Sequence, residues 1–254
     1  MPTQKPTAIL IVHGAFFLPS SWQPLVNDFT NSQYTVRCPR LPSCGDERPP
    51  KATRNDDVAA VRTAAKQLIE AGHNILVLAH SYGGMVTCDA ITEDLYASTK
   101  SNGIVSLVLL SAWLIQPGNK FEDVIEKYGH QSEVDLGSNE DGTFFAKNAP
   151  ASFYNDIDPL EAQELAKANV THNLFAASGA ITYAPWKDLS TMYVFCTRDL
   201  AIMLPLQRSM VQDAVDAGGK GGFVTEEIDS GHCPFLSKPE EVIRVVNKAL
   251  GGFE

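Results

Sequence analysis

The chain has 254 residues, 44% of them hydrophobic, and a formal net charge of −10. That length suits one α/β domain with an insertion and a large core. The charge argues against nucleic acid or an anionic membrane as partner, no apolar run is long enough to span a bilayer, and the start lacks a hydrophobic signal region, which favours an intracellular protein.

In chain order, Thr7–Val12 reads as a strand buried on both faces, running into His13-Gly14-Ala15-Phe16-Phe17. Ser20–Phe29 sets Trp22, Leu25, Val26 and Phe29 on one helical face, with Ser20 or Ser21 as cap. Tyr34–Arg37 is a short strand, and Pro39–Pro50, rich in Pro, Ser, Cys and Gly, is a loop. A helix capped by Asn55 or Asp56 reaches about Ala71, where Gly72 ends it. Ile75–Ala79 is another buried strand, and from Gly83 onward Met85, Val86, Ala90 and Ile91 follow a helical spacing. Ile104–Trp113 extends the series of strands. Strands alternating with helices at this pitch predict an α/β fold with a mostly parallel, doubly wound sheet.

The pattern changes at about Gln116. Gly, Asn and acidic residues accumulate through Gly142 and no core strand is evident, while aromatic residues such as Phe121, Phe144, Phe153, Phe175 and Trp186 are dispersed as far as Asp188. Pro159–Ala168 reads as a helix capped by Asp158. The segment begins just past a strand end, where the sites of open α/β sheets lie. Residues 116–188 are therefore expected to be an inserted cap (lid), with 1–115 and 189–254 forming the core. The acidic residues read as a solvated face, and the aromatics as pocket lining or subdomain packing. The sheet resumes at Thr191–Cys196, followed by Thr197-Arg198-Asp199 and a helix over Leu204–Ala217. A last strand, Phe223–Ile228, leads to the loop Asp229–Phe235, and a closing helix runs from Lys238-Pro239 to about Leu250.

The chemistry centres on His80-Ser81-Tyr82-Gly83-Gly84. A strand that turns abruptly into a helix brings two backbones close, so small residues must flank the turn; Ala79, Gly83 and Gly84 supply them. The apex residue, Ser81, is pushed into a strained conformation. This is a nucleophile elbow in the variant Ala79-x-Ser81-x-Gly83, with a helix N-terminus aimed at any oxyanion formed there. A serine hydroxyl needs a base, and the base an orienting acid. His232, on a loop freed by Gly231, and Asp199 follow the ends of the last two strands, on one sheet edge. Singly, each has a plainer reading: a serine helix cap, a turn aspartate, a solvated histidine. Together, in the order Ser81, Asp199, His232, they supply a catalytic triad.

Other residues fit these roles less well. Asp229 is poorly placed to face the imidazole. His80 cannot fold back as a base and reads as packing, and His13 as a shaper of the loop beside the oxyanion site. His73, His130 and His172 have no companion motif. Five cysteines, Cys38, Cys44, Cys88, Cys196 and Cys233, include no Cys-x-x-Cys pair. They read as free thiols, and neither a metal nor a cofactor is expected. Cys233 lacks an elbow and is a weak alternative nucleophile.

On His13-Gly14-Ala15, Ala79-His80-Ser81-Tyr82-Gly83-Gly84-Met85, Val194–Asp199 and Gly231-His232, the sequence resembles the α/β-hydrolase superfamily over nearly its whole length. The resemblance is closest to the branch of plant methylesterases and hydroxynitrile lyases. It implies the α/β-hydrolase fold, a triad of Ser81, Asp199 and His232, and an oxyanion hole from the N–H groups of Ala15 and Tyr82. Gly14, Phe16, Phe17, Trp113 and Cys233 are the candidates for the substrate pocket. The first elbow glycine is Ala79 here. Lyase members carry a threonine and a lysine where this chain has Gly14 and Cys233; without the lysine's charge a leaving cyanide lacks its stabiliser, which favours hydrolysis.

The expected activity is that of a serine esterase or lactonase, acting on a small, largely apolar carboxylic ester or lactone. Monomer and homodimer are both compatible with it. Two alternatives keep the fold: the same triad cleaving a C–C bond or promoting another non-ester reaction on a polyketide-like ligand, or a receptor-like member with little turnover. Serine at the elbow apex, where epoxide hydrolases and dehalogenases usually carry aspartate, argues against those two classes.

Overall fold

The structure, a computed structural model, describes residues 7–45, 47–219 and 221–252. Its elements in chain order are β1 (Thr7–Val12), α1 (Gln23–Asn31), β2 (Thr35–Arg37), α2 (Arg54–Glu70), β3 (Asn74–His80) and α3 (Gly83–Ala90). There follow β4 (Ile104–Leu110), α4 (Phe121–Tyr128), β5 (Leu136–Ser138), β6 (Thr143–Ala146), α5 (Ala149–Ser152), α6 (Pro159–Ala166) and β7 (His172–Asn173). The chain closes with β8 (Ser190–Cys196), α7 (Leu204–Asp216), β9 (Phe223–Ile228), α8 (Pro234–Ser237) and α9 (Pro239–Gly251).

Six strands form one sheet in the order β2-β1-β3-β4-β8-β9, every neighbouring pair parallel. Successive side chains on a strand point to opposite faces. Ala8, Leu10, Val12, Ile75, Val77 and Ala79 accordingly enter one core cluster, and Ile9, Ile11, Leu76 and Leu78 the other. Both faces are covered, which is why these strands are continuous apolar runs in the sequence. From β1 the chain moves to one side for β2, then returns to the other side as β3. The strand order reverses between β1 and β3, and their C-terminal ends border the crevice where open α/β sheets bind ligands.

Several boundaries depart from the sequence reading. Pro19–Trp22 forms a 3-10 turn and α1 starts only at Gln23, so neither Ser20 nor Ser21 caps it. Thr53, rather than Asn55 or Asp56, is the cap residue of α2; the Asp56 carboxylate reaches back to accept from the Thr53 amide at 2.7 Å. β4 ends at Leu110, before Trp113, because Ser111 takes a φ of 40° and turns the chain out of the sheet.

Within residues 116–188, Asp158 caps α6 as expected, accepting from the Leu160 and Glu161 amides at 2.9 and 3.3 Å. The same segment also contains α4 and an antiparallel sheet in the order β5-β6-β7, which the sequence did not reveal. These strands have two to four residues, too few to print an alternation. All five cysteines are unpaired. Among the described residues no helix is long and apolar enough to cross a membrane.

Candidate active site

Ser81 sits at the end of β3 with a φ of 53°, in the left-handed region that side chains rarely adopt. Its carbonyl accepts from the Gly84 and Trp113 amides at 2.9 and 3.0 Å, which locks the turn. The glycines after it answer to backbone proximity. A Cβ on Gly83 would lie 2.1 Å from the Val12 carbonyl oxygen, and one on Gly84 2.3 Å from that of Trp113. α3 can therefore start where it does only without side chains at these positions, and its first turn points at Ser81.

Asp199 follows β8, and His232 follows β9 at the adjacent sheet edge. The His232 Nδ1–H donates to Asp199 Oδ2 at 2.8 Å, with both side chains buried. The carboxylate is braced on every side. Oδ1 accepts from the Ala201 and Ile202 amides at 2.6 and 3.0 Å. Oδ2 also accepts from the Ser111 hydroxyl in a short contact. Gln207, fully buried on α7, holds the same loop through Cys196 and Ile202. Asp229, by contrast, lies exposed and pairs with Arg198 at 2.9 Å.

The two histidines flanking the elbow have structural duties. His80 Nε2–H donates to the His232 carbonyl at 2.8 Å, and its ring packs among Phe17, Trp22 and Phe235. Burial pushes its pKa well below the usual histidine value, so the ring is neutral and anchors the His232 loop. His13 Nδ1–H donates to the Gly14 carbonyl at 2.9 Å, and Nε2 accepts from the Leu41 amide at 3.2 Å. Burial lowers its pKa to about 4. That neutral ring ties the 13–15 turn to the β2–α2 loop. Phe16 has a φ of 69°, and its carbonyl accepts from Val170 at 2.9 Å.

A cavity of about 460 Å³ opens at this edge. Ala15, Ser81, Tyr82 and His232 line it together, and so do the expected pocket residues Phe16 and Trp113. Three expected pocket residues do not. Gly14 packs against the elbow, where a Cβ would fall 2.9 Å from that of Ser81, which leaves no room for the lyase threonine. Phe17 turns into the core with Phe153, Phe235 and His80. Cys233 is fully buried in the same core cluster, and burial raises its thiol pKa well above normal, which removes it as a nucleophile.

The rest of the wall comes mainly from residues 121–178, including Phe121, Val134, Phe144 and Phe153. Leu136, Leu174 and Phe175 also line the cavity while remaining exposed, which gives it an apolar rim. Ser111, Gln207 and His172 were not anticipated. The Ser111 and His172 contacts join residues 88 and 129 positions apart, and those of Gln207 cross from α7 to the end of β8. The sequence reading placed Ser111 inside the strand Ile104–Trp113 and gave no hint of its role.

The chain belongs to the alpha/beta hydrolase family, whose profile matches residues 9–245. Alpha/beta hydrolase nvfD of Aspergillus novofumigatus is 28% identical over 250 residues, covering 96% of each chain. Methylesterase 7 of Arabidopsis thaliana is 22% identical over 258 residues, covering 92% of each. Among solved structures, polyneuridine aldehyde esterase superposes with a TM-score of 0.73 at 18% identity, over 96% of this chain and 99% of the other. This is an α/β-hydrolase of the branch that resembles plant methylesterases, and its relatives include esterases.

Proposed function

We propose that this protein is a serine hydrolase that cleaves a small, largely apolar carboxylic ester or lactone through an acyl-enzyme on Ser81. The observation that carries this reading is the buried 2.8 Å hydrogen bond from His232 to Asp199 beside the cavity that Ser81 also lines. Ser81 Oγ attacks the carbonyl carbon while His232 Nε2 takes its proton. Asp199 orients the ring and balances the charge it acquires. The oxyanion accepts hydrogen bonds from the Ala15 and Tyr82 amides, aided by the N-terminal end of α3. Collapse breaks the C–O bond, and His232 protonates the departing alcohol. His232 then removes a proton from water, the hydroxide attacks the acyl carbon, and the acid leaves as Ser81 regains its proton. A lactone gives a hydroxy acid by the same steps.

The apolar wall and rim, the modest volume and the aromatic contributions from residues 116–188 support a small apolar substrate beneath a cap. The direct test is a panel of aryl esters, methyl esters and lactones assayed with wild type and Ser81→Ala. The variant is expected to lose at least about 1,000-fold in kcat. Wild-type rates from Ser81→Ala on every substrate would end the proposal.

A further inference from the structure

The two amides proposed to hold the oxyanion come from different elements. Ala15 lies on the turn after β1, and Tyr82 immediately precedes α3. Both can serve one oxygen only if their separation is fixed to within about 0.5 Å. The loop between β2 and α2 reaches both sides. Towards Ala15, the Leu41 amide donates to His13 Nε2 at 3.2 Å, and the Cys44 thiol lies 3.9 Å from the Gly14 carbonyl oxygen.

Towards Tyr82, the loop acts through Asp57 on α2. This side chain is fully buried, does not line the cavity and takes no part in the triad. Its Oδ1 accepts from the Ser43 amide at 2.9 Å, and its Oδ2 from the Ser43 hydroxyl at 2.5 Å and the Tyr82 hydroxyl at 2.7 Å. The Ser43 hydroxyl oxygen also lies 2.9 Å from His172 Nε2, which extends the network to β7. Burial raises the Tyr82 phenol well above its ordinary pKa, so the hydroxyl keeps its hydrogen and donates it. The other acceptor in reach, the Ala176 carbonyl, is 3.4 Å away. A carboxylate makes the stronger hold, since hydrogen bonds to an ionised acceptor are roughly twice as strong as neutral ones.

Tyr82 is thereby caught at both ends. Its carbonyl accepts from the Met85 and Val86 amides at 3.0 and 3.3 Å, and its hydroxyl is tied to α2. Its amide follows directly on Ser81, whose φ of 53° stores strain that a loose neighbour could release. We propose that Asp57 is a positioning residue for the oxyanion hole: through the Tyr82 hydroxyl it fixes the Tyr82 amide relative to the loop that holds the Ala15 turn. This rests on the ester-hydrolase reading. Asp57 touches no reacting atom, so its effect is felt when charge develops on the carbonyl oxygen, in kcat rather than in KM.

A double-mutant cycle tests it, with wild type, Asp57→Asn, Tyr82→Phe and the double variant assayed on the best ester of the panel. Each protein is also titrated with the trifluoromethyl ketone analogue of that ester, which forms a hemiketal oxyanion on the serine. Tyr82→Phe keeps the ring and is expected to lower kcat about tenfold, with KM within about twofold, and to weaken the ketone by the same factor as kcat. Because Asp57 acts through the hydroxyl that Tyr82→Phe removes, the double variant is expected to stay within about twofold of Asp57→Asn. Losses that multiply, or a change in KM with ketone affinity intact, overturn the proposal. If Asp57→Asn fails to fold, Tyr82→Phe alone decides: unchanged kcat and ketone affinity overturn it while leaving the hydrolase reading standing. A wild type inert towards the whole panel and towards a fluorophosphonate ends the hydrolase reading itself, and the proposal with it.

Discussion

Asp199 Oδ2 receives both the His232 Nδ1–H and the Ser111 hydroxyl, while two amides hold Oδ1. Removing one donor leaves the carboxylate fixed by the others. Ser111→Ala is therefore expected to fold and to lower kcat about tenfold with KM nearly constant, the loss of one charge-assisted hydrogen bond. Asp199→Asn replaces an acceptor with an amide that can favour the wrong imidazole tautomer, and a loss of about 10,000-fold in kcat is expected. Steady-state kinetics on one ester measures both. Equal losses in the two variants would mean that Ser111 does more than brace the acid.

At the scale of elements, the elbow depends on how closely α3 starts against the end of β1 and the Trp113 backbone beyond β4. A Cβ on Gly83 meets backbone that cannot swing aside. Gly83→Ala is expected to cost about 3 kcal/mol or more, by overpacking and backbone displacement. Gly251→Ala, at the open end of α9, should stay within about 0.5 kcal/mol of wild type. Urea unfolding compares them; similar midpoints would contradict the close approach.

Arg54 makes a comparable demand from α2. It pairs with Asp89 at 2.9 Å and donates to the carbonyls of Ser178, Gly179 and Ala180. Arg54→Met should free that stretch and leave the half-buried Asp89 with only its Thr182 donors, costing roughly 1–3 kcal/mol. Limited proteolysis near 174–184 should then quicken, and an unchanged cleavage pattern would argue against a latch.

The same elements explain what could be read in advance. β1 and β9 were delimited to the residue, and the ends of β3, β8 and β9 located Ser81, Asp199 and His232, because β1, β3 and β8 are buried apolar runs and the ends of parallel strands share an edge. Pocket residues chosen for their nearness in sequence fared worse. Phe16 lines the cavity, while Phe17 packs in the core against Phe235. The Ser43–Asp57–His172 network left no signal, as its contacts span 14 and 129 positions and no periodicity connects them.

For the whole molecule, buried neutral histidines set the response to acid. His13 has a pKa of about 4, His172 of about 3, and His80 lies well below normal, all from burial. In the unfolded chain each titrates near 6.5. Between that value and the folded ones, the unfolded state binds more protons, so stability rises with pH through the window and falls as pH drops from about 6.5 towards 4. Each histidine can contribute up to about 1.4 kcal/mol per pH unit there. Asp57 acts in the opposite sense, since a raised carboxyl contributes most at low pH and loses that contribution as pH rises through its folded value. One carboxyl opposes three rings, so the histidines dominate from about pH 6.5 to 5. Denaturant midpoints should drop over that interval, and a flat profile would contradict the three buried neutral rings.

Under the proposed function three strand ends form one reactive unit, and its defining property is a single activated serine. Intact-mass analysis after exposure to a fluorophosphonate, followed by peptide mapping, reads that property without knowledge of the substrate. One adduct per chain, located on Ser81 and missing from Ser81→Ala, is the predicted result. An unlabelled wild-type protein, or an adduct that persists in Ser81→Ala, would contradict it.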